Sequence, residues 1–135
     1  DSHGLMTVES CVGEKADAIA TILKTPGKEA TLDSQAPRGQ GLAAESWRTG
    51  EIKTSKNIQT DVRYTEWRTT IQELRIYSVM TIPILDRSGV AIAVLAIYGA
   101  YPHQFESIWM QQFSRNLQQR LNQIWLLCTN LKPSK

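Results

Sequence analysis

Residues 77–98 read YSVMTIPILDRSGVAIAVLAIY. Two runs rich in β-branched and aromatic residues, 77–85 and 90–98, flank the polar stretch Asp86-Arg87-Ser88-Gly89. Two such runs on either side of a glycine-bearing turn predict an antiparallel hairpin. In its second arm Val90, Ile92, Val94 and Tyr98 alternate with Ala91, Ala93, Leu95 and Ile97. Both faces are therefore apolar, which predicts a central hairpin covered by helices on both sides.

Downstream, residues 104–131 carry a helical period. Phe105, Ile108, Trp109, Phe113 and Leu117 form a broad stripe suited to packing on the sheet. From Leu117 the apolar residues fall at Leu121, Ile124, Cys128 and Leu131, intervals of 4, 3, 4 and 3 that fit a two-heptad coiled-coil seam. A plain core-facing helix accounts for the same spacing, so both assignments stay open. Upstream, residues 65–74 predict a helix capped by Thr65, with Trp67, Ile71 and Leu74 on one face. Residues 52–58 read as a short polar edge strand with Lys53 and Lys56 toward solvent. Before it, Pro37-Arg38-Gly39-Gln40-Gly41 turns into a helix over 42–48, stopped by Gly50, whose Leu42, Ala43 and Trp47 share a face. Residues 30–34 predict a brief strand, and residues 14–24 a short amphipathic helix on Ala18, Ile19, Ile22 and Leu23, ended by Thr25-Pro26-Gly27. At the front, Asp1-Ser2-His3-Gly4 has turn chemistry and residues 5–12 read as a strand.

Composition narrows the function classes. The chain has 135 residues, 41% hydrophobic and 21% charged, enough for one domain with a real core. Fifteen Lys and Arg against 13 Asp and Glu are scattered along it, so no footprint for a nucleic acid polymer is present. Residues 90–100 are the longest apolar part of an uncharged stretch, too short for the ~20 residues that span a bilayer. Cys11 and Cys128 lie far apart without a CxxC spacing, and only His3 and His103 are available to join them in a metal site. A reducing cytoplasm suits such thiols.

Residues 39–98 resemble the GAF domain, a sensor module of bacterial signalling proteins. The resemblance is carried by Gly39-Gln40-Gly41-Leu42 with Trp47-Arg48-Thr49-Gly50, then Asn57-Ile58-Gln59-Thr60-Asp61-Val62-Arg63, then Trp67-Arg68, and by the hairpin from Ser78 to Tyr98. It implies an α+β fold, a GAF-like antiparallel sheet with helices on both faces and a long C-terminal helix. Residues 1–116 would form the sensor domain and 117–135 a signalling and dimerisation helix. The module would be part of a longer protein, the N-terminal helix and first strand usual in the family being missing or lying ahead of Asp1. The spacing Asp61-x-Arg63-x-x-x-Trp67-Arg68 resembles GAF domains joined to GGDEF or GGDEF-EAL domains, which make and degrade cyclic di-GMP.

Members of this family bind small ligands between the sheet and the short helices before the hairpin. By that resemblance Trp47, Asp61, Arg63, Tyr64 and Trp67 would roof a ligand site and Tyr77, Val79, Thr81 and Tyr98 would floor it. Aromatic walls with an arginine suit a planar or anionic ligand. Each of these residues also has a structural reading, Trp67 in a core stripe and Asp61 as a turn cap. The Asn-Lys-containing pattern of cyclic-nucleotide-binding members is absent, bilin attachment lacks its cysteine, and His3 reads as part of a turn and His103, beside Pro102, as part of a loop, which disfavours haem. The cofactor is therefore unknown. The expected function is a cytoplasmic, non-catalytic sensor that binds a small molecule and signals as a homodimer through its C-terminal helix to an output domain, a diguanylate cyclase or phosphodiesterase. Alternatives are a ligand-free dimerisation module and an enzyme resembling free methionine-(R)-sulfoxide reductase, whose chemistry needs two thiols that meet.

Overall fold

The computed structural model describes residues 4–131, with side chains through Cys128. The turn read at Asp1, Ser2 and His3 and the side chain of Leu131 lie outside the described residues. The elements in order are α1 (Ala16–Lys24), α2 (Leu42–Thr49), β1 (Lys53–Ser55), α3 (Arg68–Leu74), β2 (Ser78–Leu85), β3 (Ala91–Gly99) and α4 (Ile108–Leu131). A 3-10 turn, Val62–Trp67, leads into α3.

The sheet is antiparallel in the order β1-β2-β3. The hairpin is where the pattern of residues 77–98 puts it, with Val79 opposite Tyr98 and Thr81 opposite Ala96. Its turn is held by the Asp86 carboxylate, which accepts from the Ser88 and Val90 amides at 2.9 and 3.1 Å. The register shifts between Ile84 and Leu85. One sheet face carries Val79 and Thr81 under α2. Val79 shares a buried cluster with Leu42, Ile58, Tyr64, Trp67 and Ile71, and the Thr81 hydroxyl lies 2.6 Å from that of Ser46. Removing a side chain such as Ile71 from water is worth about 1.5–3 kcal/mol. The other face carries Met80 and Ile82, which pack with Phe105, Met110 and Leu117 against α4. Helices thus cover both faces of an α+β fold.

Several local expectations are corrected. Residues 5–12 form no strand: they make one antiparallel bridge, Leu5 with Thr31, and the Met6 amide donates to the Ala30 carbonyl at 2.9 Å. That same bridge is all that forms in residues 30–34. Thr65 caps nothing; the Asp61 carboxylate caps the 3-10 turn instead. Residues 104–107 precede α4, which begins where the Ser107 hydroxyl accepts the Met110 amide at 3.2 Å. Lys53 does not point freely into solvent; it is half-buried and pairs with Glu45 and Glu51 at 3.4 and 3.0 Å. The sheet-facing stripe of α4 is Met110, Ser114 and Leu117, and Ile108, Trp109 and Phe113 are exposed. The heavier apolar residues mislead here, because the fully buried position of the helix is held by the small Ser114, 3% exposed.

Candidate functional site

α2 sets the site. Gly41 precedes it in extended geometry, and the Leu42 amide donates to the Tyr64 hydroxyl at 3.2 Å, so a side chain from the 3-10 turn satisfies the helix start. Gly39 admits no Cβ: one would lie 1.8 Å from the Asp33 carbonyl oxygen. The Gly39-Gln40-Gly41 turn is therefore a packing requirement.

Beside α2, a cavity of about 900 Å³ opens between residues 5–16, the inner faces of α1 and α3, and β3. Of the expected site residues, Trp47, Tyr64, Trp67, Thr81 and Tyr98 line it. Asp61, Arg63 and Tyr77 do not, and Val79 is sealed in the core beneath. Trp67 is buried, its ring tilted 55° to Tyr64 at 6.1 Å, and its indole N–H donates to the Lys28 carbonyl at 3.0 Å. Tyr98 packs at the edge of the same cluster, opposite Val79. Burial, and secondarily the neighbouring Cys11, push its phenol up to about 12. Burial likewise drives the Tyr64 phenol well above its ordinary range. Both hydroxyls therefore stay protonated at neutral pH.

The displaced charges form a brace at the β1 end of the sheet. The Arg63 guanidinium donates to the Asp61 carboxylate at 2.7–3.2 Å and to Glu45 at 3.2 Å, and the Ser55 hydroxyl donates to Asp61 at 2.8 Å. Arg63 and the hydrogen bonds hold the Asp61 carboxyl down at about 2. Arg68 donates to the Ile58 and Asp61 carbonyls at 2.7 and 2.8 Å. The Asp61-x-Arg63-x-x-x-Trp67-Arg68 spacing thus pins a loop, which corrects the reading of Asp61 and Arg63 as pocket roof.

Sequence reasoning missed the far wall. Ile19 and Ile22 of α1, Leu74 of α3 and Ala96 of β3 complete the cavity. Ile19 and Ile22 were legible as an amphipathic stripe, but nothing in the pattern says that the stripe meets a cavity. Cys11 lines the rim and is exposed, as is Cys128 on α4. His103 lies outside the cavity wall, its Nδ1 2.6 Å from Glu106. Along α4, Leu117 and Leu121 are half-buried, whereas Ile124 and Cys128 are exposed; the helix runs unbroken across positions 116 and 117. No helix among the described residues is long and apolar enough to cross a membrane.

No family model matches the sequence, and no curated protein does. Among solved structures, the fold is similar to the GAF domain region of a protein from Geobacter sulfurreducens PCA that is described as a membrane protein. The TM-score is 0.54 at 14% identity, over 67% of this chain. This chain matches 60% of that one's length. The likeness establishes a GAF-like fold.

Proposed function

We propose that this chain is a regulatory sensor domain, without catalysis of its own, in a bacterial signal-transduction protein. A small molecule occupies the cavity beside α2, and its presence biases α4, which leads to an output domain, a diguanylate cyclase or phosphodiesterase. The observation that carries the reading is the arrangement of Trp47, Tyr64, Trp67, Thr81 and Tyr98 around one cavity of about 900 Å³, on the sheet face opposite α4. A pocket of that size with aromatic walls and a few polar groups suits a metabolite. Because β2 is packed by α2 on one side and α4 on the other, a shift at the cavity wall has a short path to the helix. The chain works as a homodimer through α4 and acts in the cytoplasm.

A thermal-shift screen with a metabolite library tests this. At least one compound should raise Tm by several degrees when present well above its Kd. Filling the cavity with Ala96→Trp should abolish that shift while the variant stays folded. A library that shifts nothing, or hits indifferent to Ala96→Trp, would leave the ligand-free dimerisation module as the better reading.

A further inference from the structure

The charge around the cavity says more about its ligand than its shape does. Four ionisable side chains of ordinary acid or base type border it: Glu9, Glu14, Lys15 and Arg38. Both cations already have partners, and only that of Arg38 is a carboxylate. The Lys15 ammonium donates to the Leu74 carbonyl. The Arg38 guanidinium donates to the Glu29 carbonyl at 2.7 Å and pairs with the Glu29 carboxylate at 3.5 Å. Glu9 and Glu14 are exposed on the rim and add negative charge there. The arginine that would have favoured an anion, Arg63, is locked to Asp61 and Glu45 away from the wall. A phosphate or carboxylate placed among Ile19, Ile22, Trp67 and Leu74 would exchange its hydration for a single ammonium, that of Lys15, which already donates to the Leu74 carbonyl and follows Glu14 in the chain. Such a transfer costs far more than apolar contact returns.

What the wall does offer is phenolic. The Tyr98 hydroxyl makes no hydrogen bond among the described residues, and the Tyr64 hydroxyl accepts from Leu42 while its proton has no acceptor among them. We infer that the ligand is an uncharged, largely apolar molecule bearing a hydrogen-bond acceptor that faces Tyr98 and Tyr64. The inference rests on the cavity being the sensing site and specifies what that site takes. It replaces the anionic ligand that Arg63 in the wall would have suited.

The test uses the neutral fluorophore prodan, whose ketone is an acceptor, competed with two near-isosteric rings, the neutral 2-acetylnaphthalene and the anionic 2-naphthoate, and with cyclic AMP. Prodan should bind saturably, and 2-acetylnaphthalene should displace it at least 10-fold more effectively than 2-naphthoate or cyclic AMP. Tyr98→Phe should weaken prodan about 3- to 10-fold, the range of one hydrogen bond, and shift its emission to the blue. Displacement by 2-naphthoate or cyclic AMP as good as by the ketone would overturn the neutral class while leaving the sensor reading intact. Prodan that fails to bind, or binds Ala96→Trp as well as the parent chain, would overturn the class and the site together.

Discussion

Asp61 performs three tasks with one carboxylate. It caps the 3-10 turn through the Arg63 amide at 3.0 Å, accepts the Ser55 hydroxyl of β1, and pairs with the Arg63 guanidinium. Its carboxyl is held at about 2, below the ordinary 3.8. A depressed carboxylate stabilises the fold above the unfolded value, and the contribution fades as pH falls from about 4 toward 2. Arg63 is partly exposed, which screens the pair, so Asp61→Asn should cost about 1–2 kcal/mol at pH 7. Urea unfolding of both proteins should show that gap narrowing by pH 3; an equal gap at both pH values would mean that the charge is irrelevant and only the cap matters. The residue type and its spacing from Arg63 were plain in the sequence. Their use was not, because a carboxylate and an arginine two positions apart suit an internal brace as well as a ligand.

At the scale of elements, the coupling of α4 to the sheet is partly polar. Gln118 donates its amide to the Pro83 carbonyl at 2.9 Å, and Asn122 accepts the Leu85 amide at 2.8 Å. Both contacts fall beside the register shift at Ile84 and Leu85, where the ladder of β2 and β3 is interrupted and backbone groups need other partners. Asn122→Ala leaves the part-buried Leu85 N–H unpaired and should destabilise by about 1–2 kcal/mol, with faster amide exchange in α4 beyond residue 118 than in its first turns. Uniform exchange along α4 would deny Asn122 a local anchoring role. These amides escaped the sequence reading because Gln and Asn on a helix normally face water, and a strand irregularity leaves no trace in hydrophobic period. The hairpin was legible for the opposite reason: β-branched alternation around a polar turn is a local signal, and its pairing is local too. Residues 5–12 carry the same composition, but composition says nothing of whether a partner strand lies alongside, and only the bridge to Thr31 forms.

For the whole molecule, the proposed dimer has a specific surface. Trp109, Phe113, Ile124 and Leu127 are exposed on α4, at 79%, 49%, 53% and 61%, and the 4- and 3-residue spacing within each pair puts them on neighbouring turns of one side. Leu117 is turned instead to the sheet core. The seam favoured here therefore keeps Ile124 and Cys128 from the heptad expectation and adds Trp109, Phe113 and Leu127. Ile124→Asp combined with Leu127→Asp should give a folded monomer by sedimentation and circular dichroism; a dimer of unchanged stability would place any association elsewhere. The fold class was readable from sequence, and five of the eight residues expected at a ligand site do line one cavity, since aromatic positions on a strand and on short helices follow the pleat and helix periods. The charged residues were misplaced because ion pairing depends on loop geometry that no period encodes.

The four tryptophans of the chain divide evenly between these two regions. Trp47 and Trp67 stand in the cavity wall, the latter only 7% exposed, while Trp109 and Trp125 sit on α4 at 79% and 39% exposure. Intrinsic emission therefore has a shielded component at the pocket and a quencher-accessible one on the helix. A ligand in the proposed site would register in the shielded channel and the proposed helix association in the accessible one, with no label attached to either.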